Sequence, residues 1–71
     1  MKKNSNIIDS KISVKIFDGM TLVAGSDNFK STIEARNSAE RIIRHQKEIV
    51  GEGMTSYAMV FKGNKMLYYF D

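Results

Sequence analysis

The sequence predicts an α+β domain of order ββαββ, a four-stranded antiparallel sheet with one helix packed on one face. Three observations predict it. Two turn dipeptides, Asp18-Gly19 and Gly63-Asn64, each sit between runs of β-type residues, the strongest short-range signal for a hairpin. Between these hairpins lies one stretch of helical periodicity with its own start and stop signals.

Residues 1–10 are polar, Asn-rich and without periodicity, so they are expected to form a flexible basic tail ahead of a single domain over 11–71. In the first strand, Ile12, Val14 and Ile16 alternate with Lys11, Ser13 and Lys15, the period of two that separates the faces of a sheet. Asp18-Gly19 is expected to turn the chain, and Met20 to Ala24 resume the β-type composition. Ser26-Asp27-Asn28 then breaks the second strand.

Ser31-Thr32-Ile33-Glu34 reads as a capping box, so a helix is expected from Thr32. Ala35, Ala39, Ile42, Ile43, Gln46, Ile49 and Val50 recur at spacings of three and four, forming one apolar arc. Gly51 suits a left-handed position just past the helix end. The last two strands read as Tyr57 to Phe61 and Met66 to Phe70, with Gly63-Asn64 suited to a type II′ turn.

The side chains of the second hairpin carry the functional expectation. A two-residue loop at Gly63-Asn64 places Phe61 opposite Met66, Met59 opposite Tyr68 and Tyr57 opposite Phe70, and leaves Ala58, Val60, Leu67 and Tyr69 on the other side. Both sides are apolar. In the first hairpin, a loop at Asp18-Gly19 groups Ile12, Val14, Ile16 and Val23 on one face, with Phe17, Met20, Leu22 and Ala24 beside Lys15 on the other; a three-residue loop would change that parity. One helix covers one face of a sheet, and the free face is normally polar. The second face therefore calls for a cover: another copy of the chain, a different partner, or residues 1–10 through Ile7-Ile8.

Size points the same way. A chain of 71 residues buries only about 60% of its unfolded surface, and the absence of cysteine removes disulfides as reinforcement. A homodimer that binds a protein partner is the expected reading. Val60, Leu67, Tyr68 and Tyr69 are the candidate interface anchors, and Lys62 and Lys65 form the rim. Aromatic anchors ringed by charge are the usual makeup of a binding hot spot.

Catalytic chemistry is not expected. The chain has a single histidine, His45, and no cysteine, which excludes the common zinc and thiol sites. Gly51-Glu52-Gly53 follows a helix, whereas a phosphate-binding glycine loop precedes one. No catalytic, cofactor-binding or metal-binding residue is assigned, and no small-molecule substrate is expected. Nor is a membrane segment, because no apolar run nears the roughly 18 residues of a span. With no cysteine and no signal-peptide pattern in residues 1–10, the expected location is the cytoplasm.

Charge supports one alternative. The net charge is +3, and the first 17 residues hold Lys2, Lys3, Lys11 and Lys15 against Asp9 alone. Those lysines are the candidate nucleic-acid contacts, with Lys62, Lys65 and a stacking Tyr68 or Tyr69, in a module for RNA or single strands. The helix arginines contribute less, since Glu40 stands four residues from both Arg36 and Arg44.

The stretch from Ser26 to Ala35, continuing to Ala39 and Ile42, with a Phe before a Ser/Thr cap and a Glu-Ala pair, resembles the strand-to-helix junction of small uncharacterised bacterial ββαββ domains, including the YegP-like group. The resemblance implies fold alone, and this chain lacks the tandem units usual in that group. The abundance of Asn, Lys and Ile, without Pro, Cys or Trp, also looks like small proteins of AT-rich bacteriophages. That likeness implies an inhibitor or adaptor of a host protein, working in the host cytoplasm.

Overall fold

The structure, a computed structural model, describes residues 11–71. Four strands, β1 (Ile12–Asp18), β2 (Thr21–Ser26), β3 (Ser56–Lys62) and β4 (Lys65–Phe70), form one antiparallel sheet in the order β2-β1-β3-β4. The helix α1 (Thr32–Val50) connects the two hairpins, and a 3-10 turn (Gly51–Gly53) leads from it into β3. The ββαββ order and the single helix are those predicted. Pairing between β1 and β3 places the two hairpins side by side.

The helix begins where its cap requires. The Ser31 hydroxyl accepts a hydrogen bond from the Glu34 amide at 3.2 Å, satisfying one of the free donors of the first turn. At the other end Gly51 has φ 79° and ψ −141°. Its φ is positive as expected, but its ψ lies outside the left-handed helical region, in territory open essentially to glycine alone.

Ala35, Ala39 and Ile43 of α1 are buried against Val14 and Ile16 of β1 and Ala58 and Val60 of β3. Ile12, Phe29, Met54, Tyr68 and Phe70 pack around this core. The two alanines bring the helix close to the central strands, so the covered face is built from small and β-branched residues. Each fully buried valine or isoleucine of this core contributes roughly 1.5–3 kcal/mol, and each alanine less. The expected apolar arc is wider than the buried one, since Ile42, Ile49 and Val50 remain exposed.

Two local features correct the predicted registers. The first turn lies at Gly19-Met20, one residue later than expected, because Asp18 stays in β1 and pairs with Thr21. The Thr55 hydroxyl donates to the Asp18 carboxylate, and the Gly19 amide donates to the Thr55 carbonyl at 3.1 Å. These bonds hold the end of the strand against the approach to β3. Gly19 has φ 63° and no described non-glycine residue has positive φ, which fits type II′ rather than type I′. The second turn, Gly63-Asn64 between paired Lys62 and Lys65, is the one predicted.

Both hairpins also carry a β-bulge. Val23 is the extra residue between the pairs Ile16↔Ala24 and Phe17↔Leu22, and Leu67 is the extra residue between Val60↔Tyr68 and Phe61↔Met66. A bulge reverses the side-chain alternation beyond it. Met59 therefore faces Tyr69 rather than Tyr68, and Ala58 rather than Tyr57 faces Phe70. Similarly, Ala24 joins Ile16 on the helix side.

Candidate recognition face

The face of the sheet opposite α1 collects the larger apolar side chains. Ser13, Lys15 and Phe17 of β1, Tyr57, Met59 and Phe61 of β3, and Met66 and Tyr69 of β4 alternate away from the buried residues, with Leu22 and Gly25 of β2 beside them. In β3 the two faces divide by size: small Ala58 and Val60 lie under the helix, and Tyr57, Met59 and Phe61 lie outside.

Three of these aromatics form a row across adjacent strands. Phe17 and Tyr57 stack with ring centroids 5.3 Å apart and planes 9° apart, and Tyr57 and Tyr69 with centroids 5.7 Å apart and planes 28° apart. At these separations the nearly parallel rings are strongly offset from one another, and Tyr57 lies between its two aromatic neighbours. The Lys15 amine lies 5.0 Å from the centroid of Phe61, a cation–π contact on one face of that ring.

Beside the row is a hollow of about 340 Å³ between β1 and β2, lined by Ser13, Lys15, Leu22 and Gly25, with Lys11 and Asp27 at its rim. Gly25 contributes backbone alone to its lining. The Lys11 amine bridges the Asp27 carboxylate at 3.0 Å. This contact holds the Asp27 carboxyl below its usual range, first through the hydrogen bond from Lys11 and then through the lysine's charge.

The six expected anchor and rim residues do not converge on one surface. Val60 has no exposure and lies under α1, which corrects its assignment as a surface anchor. Tyr68 is on the same side, half-buried, stacked on Phe70 at 6.4 Å and covered by the Arg36 guanidinium at 5.7 Å. Leu67 is half-buried in its bulge. Lys62 and Lys65 are exposed at the Gly63-Asn64 turn, at one end of the sheet. Only Tyr69, 50% exposed, belongs to the open face.

Phe17, Tyr57, Met59, Phe61 and Met66 complete that face, and none of them is among the anchors expected from the sequence. The available signal was the parity of β1, where Ile12, Val14 and Ile16 are apolar throughout while Ser13 and Lys15 are not. Of the candidate nucleic-acid contacts, Lys11 is paired with Asp27 and Lys15 covers Phe61; Lys2 and Lys3 lie outside the described residues.

His45 is exposed on the helix, and Arg44 pairs with Glu40 at 3.7 Å. Among the described residues, no three His, Cys, Asp or Glu side chains stand together as a metal site requires, and no helix is long and apolar enough to cross a membrane. Comparison with known proteins finds no matching family model, curated protein or solved structure.

Proposed function

We propose that this chain is a non-enzymatic binding module that engages another polypeptide through the helix-free face of its sheet. The observation that carries the reading is the aromatic row Phe17-Tyr57-Tyr69 with Met59, Phe61 and Met66 beside it, on the side the helix leaves open. A contiguous apolar face of this kind marks an interaction surface. An inhibitor or adaptor role, as the compositional likeness to phage proteins implies, would use the same surface.

Nucleic-acid binding is the weaker reading on geometry. Of its lysines, Lys11 is paired with Asp27 and Lys15 lies over Phe61, and Tyr68, one of its two candidate stacking rings, is on the helix side under Arg36.

The test places a charge at the centre of the face. Met59 lies on the open side of a central strand, so Met59→Arg should leave the helix-side core and the circular dichroism spectrum intact. Association with polypeptide should be lost in the variant, while association of the wild-type chain should survive nuclease and change little with salt. Equal association by a folded Met59→Arg chain would refute the proposed surface.

A further inference from the structure

The first turn holds a reactive dipeptide under restraint. An aspartate followed by glycine is prone to close on itself, because the glycine amide has no side chain beside it and its backbone is the least restricted of any residue. Closure needs two groups free: the Gly19 backbone nitrogen as nucleophile and the Asp18 carboxyl carbon as electrophile. One residue, Thr55, holds both. Its hydroxyl donates to the Asp18 carboxylate, and its carbonyl accepts the Gly19 amide at 3.1 Å. The backbone of Asp18 is fixed as well, since it pairs with Thr21 of β2 on one side and Ser56 of β3 on the other.

Burial is not what protects the pair. Asp18 and Gly19 are exposed, and a Cβ placed on Gly19 would meet no atom within 4 Å. Water reaches the dipeptide, so the hydrogen bonds to Thr55 and the strand pairing are its restraints.

We infer that Asp18-Gly19 is a site of spontaneous isomerisation to isoaspartate, gated by Thr55. When these contacts open, the Gly19 nitrogen attacks the side-chain carboxyl carbon of Asp18 in its acid form. An N–C bond forms, the carboxyl C–OH bond breaks, and the hydroxyl leaves with the amide proton as water. The product is a cyclic imide. Water then adds to either imide carbonyl: cleavage of the new N–C bond restores aspartate, and cleavage of the original peptide bond leaves the main chain running through the side-chain carbonyl. The second outcome is isoaspartate. One water leaves and one returns, so the mass is unchanged and no other reactant is needed.

The position gives this change a consequence. Isoaspartate adds one carbon to the main chain between Phe17 and Gly19 and shifts the Thr21 and Ser56 pairs out of register. Phe17, the adjacent residue, ends the aromatic row by stacking on Tyr57. The row therefore loses its end as the molecule ages. Weaker capture of a polypeptide by the isomerised chain rests on the binding reading above, whereas the chemistry is read without any partner.

Incubation of the full chain in heavy-oxygen water, followed by proteolysis and fragment-ion mass spectrometry, follows the cycle, because each hydrolysis leaves a solvent oxygen on residue 18. Folded wild type should label there roughly tenfold or more slowly than the same chain unfolded in urea, since the reaction waits on local opening. Thr55→Val, which keeps the carbonyl and removes the hydroxyl, should speed labelling about two- to tenfold, the worth of one net hydrogen bond. Thr55→Ser, which retains a hydroxyl, should label at the wild-type rate. Circular dichroism checks that all three are folded.

Folded wild type that labels as fast as in urea overturns the gate without recourse to any variant. A folded Thr55→Val as slow as the wild type overturns the assignment to Thr55, and no label at residue 18 even in urea removes the site. An isomerised chain that captures a polypeptide as well as fresh chain refutes the consequence for the aromatic row and leaves the site intact. Failure of the Met59→Arg test would remove the binding reading and leave the labelling result unaffected.

Discussion

Lys11, just before β1, and Asp27, just beyond β2, form an exposed clip. Because the Asp27 carboxyl titrates below its usual range when folded, its contribution to stability is present above the unfolded-state pKa and is lost as pH falls through the lower folded-state value. Carbon-detected NMR titration of Asp27 should give a midpoint below that of an unpaired aspartate, and Lys11→Met should raise it. An unchanged midpoint in Lys11→Met would assign the depression to something other than the bridge. The same pair borders the Gly25 hollow, so the titration also reports on the polar rim of the open face. A clip this exposed contributes little to global stability, and its importance is to local geometry.

At the scale of elements, the close approach of α1 to the sheet depends on residue size. Ala35 and Ala39 have no exposure and lie against strands that present Ala58 and Val60. Ala39→Leu should cost about 1–3 kcal/mol through overpacking, whereas Ile49→Lys, at an exposed position on the same helix, should change stability by no more than about 0.5 kcal/mol. Urea denaturation of both variants checks the contrast, and equal costs would mean that the helix does not seat on its alanine face. The helix was legible in the sequence almost to the residue, because Ser31 and Gly51 are local signals read by the backbone beside them. The strand faces were less so. The bulges at Val23 and Leu67 carry no glycine or other local signature, yet each reverses the side-chain parity of its strand. The shifted first turn depends on Thr55, 37 residues from Asp18, a long-range contact that no window around Asp18-Gly19 contains. Tyr69 is thus among the anchors expected from the sequence, while its companions on the open face, Tyr57, Met59 and Phe61, are not.

For the whole molecule, the division of residues between the two sheet faces links stability to association. The helix-side core is small, with Val60 its largest fully buried side chain, while much of the aromatic surface is on the opposite face. Covering that face with a second copy would add burial that the isolated chain lacks. Association that occurs only in the folded state stabilises that state by mass action, so the melting temperature must rise with protein concentration. For the wild-type chain, calorimetry over a hundredfold concentration range should show this rise. Met59→Arg should melt at the temperature the wild type approaches on dilution, because a charge at the centre of the open face opposes its cover and leaves the helix-side core untouched. The comparison separates the two sources of stability. A wild-type transition that did not move with concentration would place all of it within the single chain; a Met59→Arg transition still rising with concentration would locate the contact between copies elsewhere on the surface, where the exposed edge of β2 is the next strand able to pair.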